Sequence, residues 1–251
     1  MSGFDHNSAQ QYGMAGAGTR AAEFDAGLRA YMLRVYNFMA MGLVITGVVA
    51  IAAFNMAVDT SAGQLTEFGA LLYTSPLKWV VMLAPLGMVF LLSARVHKMS
   101  VSGAQTAFWV FAALMGLSLS SIFLVYTGNS IARVFFITAA SFGGLSLFGY
   151  TTKKDLSAWG SFLFMGLIGI IIASLVNLFL ASSAVQFAIS VVGVLVFAGL
   201  TAYDTQRIKE MYAAVDSSDV AGKKAIMGAL TLYLDFINLF MMLLSLFGNR
   251  D

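Results

Sequence analysis

Residues 225–247 read AIMGALTLYLDFINLFMMLLSLF, an apolar stretch of membrane-spanning length with one carboxylate, Asp235, near its middle. At 1.5 Å per residue, the roughly 20 residues needed to cross a bilayer core of about 30 Å fit inside it, so it reads as a transmembrane helix. Six further runs of the same kind precede it, at about 36–56, 79–95, 103–126, 132–150, 161–181 and 185–206.

Composition agrees over the whole chain. Its 251 residues are 59% hydrophobic and 10% charged, with a mean hydropathy of +0.84, where a soluble domain carries roughly 25% charge. The fold class is therefore all-α: a polytopic integral membrane protein with seven transmembrane helices over residues 28–251 and the lipid bilayer as its first partner. The second run is the shortest and contains Pro85, so it is the one expected to kink, tilt or re-enter, which leaves a count of six open. Barrel strands would need an alternation that the runs lack.

Residues 1–27, small and polar, are expected to form a mobile tail, because they cannot bury enough surface to offset ordering entropy. A cleavable signal peptide is not expected, since a basic start is missing and the first apolar run begins late. Phe24, Leu28, Tyr31, Met32 and Val35 share a face, which suits either a short interfacial helix or an extension of the first span.

With no cysteine and only His6 and His97, neither disulfides nor zinc or haem centres are expected, and no cofactor is implied. A net charge of +2 does not point to nucleic acid. The placement of charge is more informative. Seven crossings put Arg20, Arg29, Arg34, Arg95, Lys98, Lys153, Lys154, Arg207, Lys209, Lys223 and Lys224 on one side and Lys78, Arg133 and Arg250 on the other. By the positive-inside rule the N-terminus is expected in the cytoplasm and the C-terminus outside.

Of the acidic residues, only Asp204 and Asp235 fall within the spans. An Asp at the centre of a spanning helix costs about 2.5–3.5 kcal/mol, so it normally faces protein or water. Thr231, Asp235, Asn238 and Ser245 follow at helical spacing on one face of the last span. A carboxyl that stays protonated, or a polar contact joining helices, is the plainer reading.

Asp204 lies in GLTAYDTQRIKE near the end of the sixth span, one turn before Arg207. The last two spans run antiparallel and should pack side by side. Their depths do not match at once. Asp204 lies about 5 Å inside Arg207 and Asp235 about 16 Å beyond Lys224, so contact requires a tilt, or a last helix that starts below the membrane plane, or a sixth that runs past Arg207. Two carboxylates in contact would share one proton near neutrality, giving a pH-biased, cation-attracting element.

Weaker features accompany them. Gly166, Gly169, Ala173 and Asn177 line one face of the fifth span and SFGGLS enriches the fourth, patterns that let helices approach. Ser118 and Ser121 line a polar path or bond their own backbone. Arg95 either pairs with Asp204 or snorkels.

GLTAYDTQRIK and LTLYLDFINLF, together with FGYTTKKDLS at 148–157, resemble the Bax inhibitor-1 (transmembrane BAX inhibitor motif) family, and more closely its bacterial branch of the YccA/YbhL type. The resemblance covers about residues 28–250. It implies a central helix wrapped by six others and an aspartate pair, matching Asp204 and Asp235, that senses pH. It also implies a pH-dependent calcium leak, suppression of cell death in eukaryotes and, in bacteria, control of a membrane-bound protease. An arginine on the second helix that pairs with the sensor in some relatives has Arg95 as its candidate.

The leading expectation is a pH-gated calcium leak channel of a bacterial inner membrane, its gate and weak calcium site at Asp204 and Asp235. Thr231, Asn238, Arg207, Arg95 and Asn177 are the supporting polar residues. The alternative is a non-transporting scaffold or regulator that binds other membrane proteins. An enzyme is not expected: an intramembrane aspartyl protease needs Gly-x-Gly-Asp where this chain has Tyr-Leu-Asp, and a retinal protein needs a lysine inside the last span.

Overall fold

The computed structural model describes residues 5–59 and 62–249, with side chains from residue 23 onward. Among the described residues eight α-helices follow one another: α1 Asp5–Ala57, α2 Glu67–Tyr73, α3 Leu77–Arg95, α4 Val101–Leu119, α5 Gly128–Thr151, α6 Ser157–Leu180, α7 Ser183–Glu210 and α8 Ser218–Phe247. All but α2 are long and apolar enough to cross a membrane, α1 by its part Glu23–Ala57.

Helix α3 continues through Pro85, so the second run is a full-length helix. The link from α1 to α3 holds a two-residue hairpin pair, Val58–Asp59 with Gln64–Leu65, and the short α2, none of which the apolar pattern announces. Residues 5–27, read as a tail from composition, have helical backbone continuous with the first span, and residues 1–4 lie outside the described residues.

Helix α8 is the axis of the bundle. Of its most apolar window 56% is buried, against 11% for α3 and for α6. It packs against α1, α4, α5 and α7. Tyr233, fully buried at its centre, meets Phe108 and Phe111 edge-on, and its hydroxyl lies 2.6 Å from Thr46 Oγ1. Thr46 in turn donates to the Ala112 carbonyl at 2.9 Å, so one polar chain ties α1, α4 and α8. Tyr233→Phe leaves Thr46 with Ala112 as its acceptor. The variant should lose about 0.6 kcal/mol, the average for an interhelical polar contact in a membrane, read as a small drop in unfolding midpoint in detergent.

Ser217 caps α8 by accepting from Val220 N–H, and Asp219 stands in its first turn beside the positive end of the helix dipole. The helix therefore starts well before the apolar run at 225. Its first turns extend past the end of α7 and pack where Gly222 meets Val101 of α4. The α7–α8 connection lies over α1, with Tyr212 edge-on to Phe24 and tilted on Tyr31. Leu28, Tyr31, Met32 and Val35 are thus buried in protein, and this part of α1 is an extension of the first span rather than an interfacial helix.

Candidate functional site

The depth mismatch between the two aspartates resolves through these helix lengths. α7 continues past Arg207 to Glu210, and α8 begins at Ser218. The antiparallel register then sets Ile208 against Gly228, Gly193 against Met242 and Ser190 against Ser245. In that register Thr231 stands opposite Asp204 and Asp235 lies one turn further along α8, and the two carboxyl side chains bridge that turn to meet.

Both are enclosed, Asp204 at 9% and Asp235 at 5% exposure. Oδ2 of Asp235 is buried and meets no N–H or O–H donor. Two ionised carboxylates offer each other only acceptors and like charge. A single proton shared between them would supply the missing donor and relieve the repulsion. Arg207, exposed one turn further along α7, interacts electrostatically with Asp204 from the rim of the site.

A cavity of about 530 Å³ opens beside the pair, walled by α6, α7 and α8. It exists because α6 rests chiefly on α7 and leaves α8 uncovered there. Two features fix α6 in that position. Gly160 lies under the Tyr203 ring, where a Cβ would stand 2.6 Å from Cζ. At the loop before α6, Gln206 accepts from Leu156 N–H and donates to the Lys154 carbonyl, each at 2.8 Å. In that loop exposed Asp155 accepts from Ser157 at the start of α6, which holds its carboxyl below the usual range.

Thr231 and Asn238 line the cavity with the two aspartates, as their spacing on one face requires. Thr231 donates its proton to the Met227 carbonyl and Asn238 its amide to Leu234. Each keeps an oxygen with lone pairs free for the cavity. Tyr203 and Ser161 complete the polar lining.

Other expected residues lie elsewhere. Arg95 is exposed at the end of α3, does not line the cavity and forms no ion pair with Asp204, because α3 packs on α4 rather than α7. Asn177 stands at the opposite end of the bundle, where its Oδ1 accepts from Ser182 N–H between α6 and α7. Ser245 is also outside the cavity and pairs with Ser190 at 2.8 Å. Ser121 bonds the Ser118 carbonyl of its own chain turn. Gly143 and Gly144 of SFGGLS face open space, and the close approach on α5 is at Gly149. Gln206 and the pairing of Gln186 with Ser190 and Ser245 escaped sequence reasoning, since isolated polar residues near helix ends read as ordinary boundary residues.

Comparison with known proteins gives this chain relatives of similar length. A protein of Rickettsia prowazekii is 50% identical over 227 residues, covering 90% of this chain and 92% of that protein. The inner membrane protein YbhL of Escherichia coli is 50% identical over 228 residues, covering 90% and 94%. A membrane protein of Streptococcus pyogenes is 35% identical over 228 residues, covering 90% and 96%. The family model described as inhibitor of apoptosis-promoting Bax1 matches residues 28–251, a span that takes in all seven membrane-crossing helices and both aspartates, and the chain belongs to this Bax inhibitor family of membrane proteins.

Proposed function

We propose that the protein is a pH-sensitive leak pathway for cations, with calcium as cargo and the Asp204–Asp235 pair as sensor and gate. The observation that carries the reading is the contact of two buried carboxylates on neighbouring spans at the wall of a cavity that Thr231 and Asn238 also line. Calcium is a hard cation that takes oxygen ligands. The two carboxylates, with the free oxygens of Thr231 and Asn238, supply four such groups on the cavity wall. That is fewer than the six to eight oxygens of a storage site, and passage rather than retention follows.

The pair has three protonation states, and its contact is tightest with one proton, when the hydrogen bond is charge-assisted. A second proton removes the charge. Loss of the first leaves two like charges in contact, which part the helices or draw in a cation. The basic end of the bundle, carrying Lys153, Lys154, Arg207 and Lys209, faces the cytoplasm by the positive-inside rule, in keeping with a bacterial inner membrane such as that of the Escherichia coli relative. Neither catalysis nor a bound cofactor enters this reading.

The test is calcium flux into sealed liposomes holding the purified protein, followed across pH. Flux above that of empty liposomes, changing with pH, is the expected result. A protein that passes no calcium at any pH is instead a non-transporting scaffold or regulator of other membrane proteins, whose aspartates set conformation alone.

A further inference from the structure

The polar stripe of α8 does not end at the acid pair. Asp235, Asn238, Met242 and Ser245 follow at steps of three, four and three, so the stripe runs about 15 Å from the carboxylates toward the far end of the bundle. At that end the α7–α8 seam is polar again. Ser190, fully buried, donates to Ser245 at 2.8 Å, and Gln186 Nε2 reaches Ser245 at 3.4 Å and Ser190 at 3.5 Å. Asn177 donates to Gln186 Oε1 at 3.4 Å, bringing in α6, the helix that also walls the cavity.

Between the two polar regions stands one apolar link of the stripe, Met242. It occupies the space that a side chain on the facing residue of α7 would take: a Cβ on Gly193 would lie 2.6 Å from its Sδ and 2.7 Å from its Cγ. Ordinary helix packing would account for a methionine here if its neighbours on the stripe were apolar too. They are Asn238, at the cavity, and Ser245, in the far cluster.

We propose that the cavity at the acid pair and the Gln186–Ser190–Ser245 cluster are the two water-facing ends of one path along the α7–α8 seam, and that Met242 seated on Gly193 is the plug between them. The inference rests on the conduction reading above and adds the barrier that reading lacks. A hydrophobic constriction closes a pore by excluding water. An unbranched thioether suits the task, because it fills an irregular seat closely and leaves it by a change of rotamer. Parting α7 and α8 at the aspartates widens the same seam about two turns further on, and Met242 then loses its seat.

The chain has no cysteine, so Asn238→Cys and Ser245→Cys each introduce a single thiol into the full-length protein. Right-side-out and inverted membrane vesicles are treated with a charged, membrane-impermeant thiol reagent. With Met242 in place, each thiol should react from one face only, and the two from opposite faces. Adding Met242→Ala should make each react from both faces, with a several-fold gain in rate from the face previously closed. Met242→Gln, which keeps the volume and wets the barrier, should do the same, and it decides the matter if the Ala variant does not fold. Reaction of either thiol from both faces with Met242 present overturns the plug, as does one-sided reaction that survives Met242→Gln. Labelling reads access of water, whereas calcium flux reads conduction. One-sidedness abolished by Met242→Gln in a protein that passes no calcium removes the conduction reading and leaves the barrier. Calcium flux with two-sided labelling from the start removes the barrier and leaves the conduction reading.

Discussion

Asp235→Asn should flatten the pH response of calcium flux, leaving the same rate at acid and neutral pH where the unaltered protein changes its rate. Asparagine keeps the size of the side chain and supplies a permanent N–H donor to Asp204, so the contact resembles the singly protonated pair and no longer gains or loses a proton at position 235. Two structural facts make the effect large. The Asp235 side chain is almost wholly enclosed, and Oδ2 meets no other donor, so no neighbouring group can take over its role. Asp204→Asn should disturb the same transition, since a shared proton belongs to the pair. The double variant should then depart from the sum of the single ones by about 0.5–3 kcal/mol in the pH-dependent equilibrium, the range for residues in direct contact. A pH response that persists unchanged in both single variants would falsify the assignment of the sensor.

The parts of this site that could be read from sequence are those that obey a period. Seven apolar runs give seven spanning helices, and the three- and four-residue steps between Thr231, Asp235 and Asn238 put those side chains on one wall of one cavity. The motif around Asp204 places it one turn before Arg207 on any helix, and Arg207 indeed stands at the rim. Contact between the two aspartates was a different matter, because it depends on register between helices. That register follows from where the helices stop: Ser217 caps α8 well before its apolar run, and α7 continues to Glu210. An apolar window registers neither event, since the first turns of α8 are polar in composition and largely exposed, with only Gly222 seated against Val101 of α4.

Arg95 and Asn177 show the limit in the other direction. Depth in the membrane is readable along one helix, but azimuth around the bundle is not. Arg95 has about the depth expected for a partner of Asp204 and lies on α3, which packs on α4 at the other side of the axis. Asn177 shares a helical face with Gly166, yet it lies at the far end, engaged with Ser182 and Gln186. Small residues mislead similarly. The glycine pair in SFGGLS looked like the point of close approach on α5, whereas the surface that meets α7 is carried by Ser146 and Gly149, one turn later.

Gly149→Ala should therefore be among the most damaging single-carbon additions in the protein. A Cβ at this position overlaps the carbonyl oxygen of Ala202 on α7, and the obstacle is backbone, which cannot swing aside as a side-chain tip does. α5 and α7 must separate. That separation strains the bonds that join them on either side: Ser146 to Thr205 at 2.9 Å, with Tyr36 of α1 on Ser146 at 2.7 Å, and Lys209 Nζ to the Tyr150 carbonyl at 2.8 Å. Overpacking of this kind costs about 1–3 kcal/mol, and at about 2–4 °C per kcal/mol for a chain of this size the melting temperature in detergent should fall by roughly 5 °C. Helix propensity argues the opposite way, since Ala for Gly in a helix interior gains up to about 1 kcal/mol. Gly143→Ala and Gly144→Ala on the same helix isolate that gain, because nothing lies within 4 Å of a Cβ at either position. Those two variants should melt at or above the temperature of the unaltered protein. Ala202 stands two residues before Asp204 on α7, so the same displacement reaches the acid pair, and Gly149→Ala should also shift the pH at which flux responds. A Gly149→Ala protein that melts with Gly143→Ala would mean that α5 and α7 do not touch at this crossing.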